Sequence, residues 1–210
     1  MIWELDFIRN IQQSLGQSDF LAHIMRVLTF AGDAGLIWLI LSLVFIANKK
    51  NRLMGLAVFV CWAVATVQNE YFIKIIVGRT RPFTQVGYED IRTYAERWLG
   101  THEANKMPLG IFGIPGDTSN SYFSGHTTMS FACATPIFFF HRKVGWLSYL
   151  LAGFIAFSRI FFGVHYPTDI IGGIILGVGI GIIVSFLTRY ILDKIRIRNR
   201  LHVESEVLIY

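Results

Sequence analysis

Long apolar runs separated by short charged clusters set the pattern of this chain. Five runs approach the length of about 20 residues that a helix needs to cross a bilayer: residues 34–47, 53–77, 124–140, 144–162 and 170–187. Each predicts a transmembrane helix; the second is interrupted only by Glu70 and Lys74, and the fourth by Arg159. Residues 1–33 follow a different rule. Trp3, Phe7, Ile8, Ile11 and Leu15 fall on one helical stripe, and Phe20, Ile24, Val27 and Leu28 on another, with Arg9, Asp19, His23 and Arg26 among them. That alternation predicts one or two interfacial amphipathic helices, with a sixth, strained crossing as the alternative. The expected fold is therefore all-α: a polytopic transmembrane bundle of five spans (a sixth possible), with N-terminal interfacial helices and a long outer loop over 83–123.

Composition excludes the main competitors. The chain of 210 residues is 53% hydrophobic and only 16% charged, with mean hydropathy +0.50. A soluble domain carries about a quarter charged residues, so a water-soluble globule is ruled out, and disorder with it. Cys61 and Cys133 lie inside apolar runs, where packing is expected rather than a disulfide. No cleavable signal segment, repeat or low-complexity linker is expected. The chain reads as one domain, 1–210: N-terminal helices over 1–33, a transmembrane core over 34–190 and a cytoplasmic tail over 191–210.

Charge then sets the orientation. Lys49, Lys50 and Arg52 follow the first run, Arg142 and Lys143 the third, and Arg189, Lys194, Arg196, Arg198 and Arg200 the fifth. All three clusters share one side if every run crosses, and the excess of Lys and Arg makes that side cytoplasmic. These clusters read ten of the 19 Lys and Arg as topology signals rather than as a nucleic-acid surface.

Three polar segments interrupt the apolar helix ends at the opposite face. They are Lys74 with Arg79, Arg81 and Pro82; Ser124-Gly125-His126; and Ser158-Arg159 followed by His165 and Asp169. Ionisable residues at membrane depth are costly, which marks them as functional candidates. Lys74, Arg81 and Arg159 form a cradle for a multiply charged anion, and guanidinium forks match phosphate oxygens. Ser124 and Gly125 open a helix whose first N–H groups also favour phosphate. Asp169, four residues after His165, is placed to fix the ring so that its other nitrogen can attack, and His126 is placed to protonate a leaving oxygen. Three cations oppose a metal ion among these groups, so neither metal nor cofactor is expected. Arg79 reads as an arginine snorkelling to the interface, and Lys74 has Glu70 four residues before it as a competing partner.

The three segments resemble the signature of the phosphatidic acid phosphatase type 2 family: Lys-(six residues)-Arg-Pro, Pro-Ser-Gly-His and Ser-Arg-(five)-His-(three)-Asp. The first and third patterns are met in full. The second has Phe123 where the family carries proline. The resemblance implies a helical bundle with an outward-facing site and metal-independent dephosphorylation through a phosphohistidine. It assigns His165 as nucleophile, Asp169 as its orienting partner and His126 as general acid, with Lys74, Arg81, Ser124, Gly125 and Arg159 as phosphate ligands. A phosphorylated lipid is the implied partner, such as phosphatidic acid, phosphatidylglycerol phosphate, undecaprenyl pyrophosphate or a lipid A phosphate. The short single-domain form favours a bacterial cell membrane.

Two rival readings keep the same residues. One is a lipid phosphotransferase that passes the phosphoryl group to another lipid. The other is a catalytically silent lipid-phosphate binding or transport protein. Within the outer loop, residues 94–99 predict a short helix and residues 111–117 a turn-rich return, while His102 and Glu103 are a weak metal pair.

Overall fold

The computed structural model describes residues 2–71, 79–100 and 121–207, with side chains up to residue 68 in the first stretch and residue 195 in the last. Lys74, His102, Glu103 and the expected return over 111–117 lie outside the described residues. Among the described residues eight α-helices follow in order: α1 Ile2–Ser14, α2 Asp19–Ala31, α3 Leu36–Ala47, α4 Arg52–Tyr71, α5 Glu89–Leu99, α6 Gly125–Phe140, α7 Arg142–Phe161 and α8 Pro167–Val207. Among the described residues there is no strand.

Local chemistry sets the helix starts. Ser18 caps α2, its hydroxyl accepting the Leu21 N–H at 3.3 Å. Pro167 opens α8, where a missing N–H costs nothing. Between α2 and α3 the chain breaks over Asp33–Gly35, with Ala34 at φ 50° and Gly35 at φ 65°. The Trp62 indole N–H of α4 donates to the Ala34 carbonyl at 2.9 Å and pins that break. A Cβ on Gly35 would stand 2.8 Å from the Trp62 ring, so the turn needs glycine for both space and backbone angle.

The break alters the expected first span. α3 alone has 12 residues, too few to cross, but α2 and α3 together are long and apolar enough while bent by 54°. Residues 19–31 thus pair with α3 across this bend, and only the two together reach the length and apolarity of a span. Among the described residues α7 and the Pro167–Ile195 part of α8 meet the length and apolarity of a span by themselves. The apolar part of α4, Arg52–Gln68, is shorter. The described helices therefore supply two or three span candidates by this measure, against five expected.

Two apolar cores form. The inner one gathers Trp38, Val58, Cys61, Cys133, Ile137 and Ile155 from α3, α4, α6 and α7. Both cysteines in it are fully buried free thiols. The outer one gathers Ile8, Ala22, Ile91, Trp98, Phe161 and Tyr166 from α1, α2, α5 and the α7–α8 turn. α7 serves both, and Arg159 lies between its inner contribution, Ile155, and its outer one, Phe161.

α8 meets α6 along a glycine stripe. A Cβ at Gly173, Gly177 or Gly181 would stand 3.0, 2.4 or 2.4 Å from Thr127, the Thr128 carbonyl oxygen or Thr135, respectively. Small residues at four-residue spacing let two helix backbones approach in this way inside a membrane. The stripe brings the start of α6 against that of α8, where the Ser124 N–H donates to the Asp169 carbonyl at 3.3 Å.

Candidate active site

The α7–α8 turn carries His165, which is 2% exposed, and Asp169, which is fully buried. His165 Nδ1 lies 2.8 Å from the Ser121 carbonyl oxygen. A carbonyl only accepts, so Nδ1 holds the proton and Nε2 keeps its lone pair. Asp169 stands further off, its Oδ2 3.7 Å from Nδ1, beyond hydrogen-bonding distance. The two are linked through Ser121, whose hydroxyl donates to Asp169 Oδ2 and lies 3.3 Å from His165 Nδ1. The Tyr166 N–H also donates to Oδ2, at 2.9 Å. Burial pushes His165 down to about 3; Asp169 pulls the other way, and Arg81 and Arg159 add to the depression. The ring is therefore neutral near pH 7.

Arg79 does not snorkel. Its Nη1 donates to Asp169 Oδ1 at 2.7 Å and to the Thr168 hydroxyl at 2.7 Å, while Nη2 donates to Glu4 Oε2 at 2.6 Å. The guanidinium also lies over the Tyr166 ring, 3.8 Å from its centroid. Two buried carboxylates from α1 and α8 hold this arginine inside, and that attraction outweighs the interfacial preference of a single helix end.

The second histidine has its own acid. His126 Nε2 lies 2.7 Å from Asp33 Oδ1, at the α2–α3 break. The positive charges of Arg81 and Arg159 oppose protonation of His165. Arg81 Nη1 donates to the Val164 carbonyl at 3.4 Å. Arg159 is buried, with Nη1 donating to the Thr29 hydroxyl of α2. Ser124 caps α6 and is fully buried. Its N–H goes to the Asp169 carbonyl at 3.3 Å, and its hydroxyl accepts from Thr127 at 3.0 Å. Gly125 is the first residue of α6.

The structure thus gathers Arg81, Ser124, Gly125, His126, Arg159, His165 and Asp169 at one end of the bundle. Lys74 lies outside the described residues. Phe123, where the related signature has proline, packs its ring over Gly172 of α8, where a Cβ would stand 1.8 Å from it. The sequence reading missed Glu4, Asp33, Ser121 and Thr168. A weak signal existed for Asp33, an acid between two glycine-flanked apolar runs. Glu4 had none, being one acid in an amphipathic stretch. Among the described residues no group of three or more His, Cys, Asp and Glu gathers to hold a metal ion.

Two histidines and three arginines thus cluster with buried carboxylates at one end of an apolar helical bundle. The chain belongs to the PAP2 superfamily, whose family model matches residues 52–193. Among its relatives, the bacitracin transport permease protein BcrC of Bacillus licheniformis is 30% identical over 143 residues, covering 64% of each chain. The undecaprenyl-diphosphatase BcrC of Bacillus subtilis is 37% identical over 68 residues, 32% of this chain and 35% of that one. The putative undecaprenyl-diphosphatase YbjG of Escherichia coli is 27% identical over 67% of this chain and 69% of its own. The first two matches span less than two thirds of those relatives. In fold, the chain resembles the crystal structure of a transmembrane PAP2-type phosphatidylglycerolphosphate phosphatase from B. subtilis. That match has a TM-score of 0.59 at 18% identity and covers 91% of this chain and 85% of the other.

Proposed function

We propose that this protein is an integral membrane lipid phosphatase that hydrolyses a lipid phosphomonoester or pyrophosphate at the outer leaflet, through a phosphohistidine and without a metal ion. The observation that carries this reading is His165: a buried neutral imidazole with Nδ1–H committed to Ser121 and two arginines beside it. Nε2 attacks the terminal phosphorus while the bond from that phosphorus to the leaving oxygen breaks, and His126 delivers a proton to the leaving oxygen. This is the lipid alcohol oxygen of a monoester, or the bridging oxygen of a pyrophosphate, which leaves as the lipid monophosphate. Water then attacks the phosphorus–Nε2 bond and gives its proton to His126, releasing inorganic phosphate and restoring both rings. Arg81, Arg159, Lys74 and the α6 N-terminus at Ser124 and Gly125 stabilise the charge on the phosphoryl oxygens throughout.

Five crossings fit this reading: the broken α2–α3 helix, then α4, α6, α7 and α8. Lys49, Arg142 and Arg189 then lie on the cytoplasmic side, and the site faces outward. Undecaprenyl diphosphate and phosphatidylglycerol phosphate head the candidate substrates, because relatives carry those names. The test is phosphate release from these two lipids and phosphatidic acid by the purified protein. His165→Ala should abolish release and chelators should leave it intact. Turnover by folded His165→Ala overturns the nucleophile assignment. Phosphorylated lipid product without free phosphate would make it a transferase, and lipid binding without turnover a silent binder.

A further inference from the structure

Glu4 lies far from the residues that the family model matches, yet it is buried at 3% exposure in the middle of the polar layer. A carboxylate in such a place needs strong partners, and it has them on two sides. Its Oε2 accepts from Arg79 Nη2 at 2.6 Å; its Oε1 accepts from the Thr168 hydroxyl at 2.6 Å and the Thr168 N–H at 3.3 Å. The other arm of the Arg79 fork, Nη1, holds Asp169 Oδ1 and the same Thr168 hydroxyl. Asp169 in turn takes the Ser121 hydroxyl, and Ser121 takes the proton side of His165.

These contacts form one chain running from α1 to the imidazole. Arg79 Nη2 and Nη1 belong to one rigid plane, so the position of the first fixes the direction of the second. With Glu4 neutral or absent, the guanidinium would face a single carboxylate and be free to rotate toward Asp169 Oδ2, where it would compete with Ser121. We propose that Glu4 is a positioning residue for the reaction: through Arg79 it sets the orientation of Asp169 and Ser121, and hence the angle at which His165 presents Nε2 to phosphorus. α1 is thereby part of the catalytic framework and not only a membrane-surface helix. This inference rests on the reading of His165 as nucleophile.

The test is steady-state kinetics of the full chain in detergent, with the lipid phosphate that turns over best. Glu4→Gln keeps the shape and removes the charge. It should lower kcat by about ten- to a hundredfold, the scale of a misaimed reacting group, with KM unchanged and the melting transition kept. Combined with Arg79→Lys it should cost no more than Arg79→Lys alone, because both variants break the same chain. Wild-type kcat in Glu4→Gln, a change confined to KM, or a double-variant loss equal to the product of the single losses would overturn the proposal. Where Glu4→Gln fails to fold, Thr168→Val, which removes the hydroxyl shared by Glu4 and Arg79, is judged by the same criteria. His165→Ala run in parallel separates the two levels. Turnover there sinks the nucleophile reading, whereas an inactive His165→Ala beside a fully active Glu4→Gln sinks only the role of Glu4.

Discussion

Replacing Asp169 by asparagine tests how the carboxylate serves His165. In the familiar Ser-His-Asp arrangement the acid fixes the histidine tautomer directly, and the same change costs about 10⁴ in kcat. Here the Nδ1 proton goes to the Ser121 carbonyl, and the carboxylate lies 3.7 Å away. Asp169→Asn should therefore leave the tautomer in place while removing the charge and, where the amide NH2 replaces one oxygen, the hydrogen bonds from Arg79 or those from Ser121 and Tyr166. At an effective dielectric of about 20, unit charges at that distance attract by roughly 4–5 kcal/mol. That attraction would act as the imidazole becomes cationic on bonding phosphorus. Arg79, 2.7 Å from the same carboxylate, offsets part of it. With each 1.36 kcal/mol worth tenfold, the expected loss is about a hundred- to a thousandfold in kcat, with KM unchanged. The assay is single-turnover phosphate release, checked against the melting transition. A loss under about tenfold would show that the charge is not felt by the ring, and one near 10⁴ that Ser121 does not hold the tautomer; either result refutes the argument.

Two further predictions address the rest of the site and its scaffold. On the proposed mechanism, in which His126 donates the proton, Asp33→Asn should slow lipid hydrolysis by about ten- to a hundredfold by weakening that donor. The defect should shrink with p-nitrophenyl phosphate, whose leaving group needs no proton; an equal defect on both substrates would remove Asp33 from proton transfer. Gly177→Ala puts a methyl 2.4 Å from the Thr128 carbonyl oxygen and should destabilise by about 1–3 kcal/mol, as overpacking does. Thermal unfolding in detergent measures it, and an unchanged midpoint would mean that α6 and α8 separate freely.

The groups at or near the ends of α4, α6, α7 and α8 are legible in the sequence because each stands out against an apolar background at fixed spacing from a helix end. Arg81, His126, Arg159, His165 and Asp169 all carry that signal, and the structure brings them together. What could not be read was pairing across the chain. Arg79 was expected at the interface, since nothing near it in sequence offers a buried carboxylate; its partners come from residues 4 and 169. The first span was placed over 34–47 because Asp33 and two glycines look like a helix start. In the structure they form a 54° bend between α2 and α3, held by Trp62. The outer helix was expected over 94–99 and runs Glu89–Leu99, its first turn being too polar to show an apolar stripe.

The glycine stripe between α6 and α8 bears on how such a site behaves in different membranes. A helix longer or shorter than the local hydrocarbon layer adapts chiefly by changing its tilt. Two helices meeting through side chains can slide as they tilt, because rotamers give way. At Gly173, Gly177 and Gly181 the close neighbours include the backbone atoms Ser124 O, Thr128 O and Ala132 O, so little there can yield. α6 and α8 must tilt as one body. The Ser124 N–H and the Asp169 carbonyl, hydrogen-bonded at 3.3 Å where the two helices start, therefore keep their separation when either helix tilts.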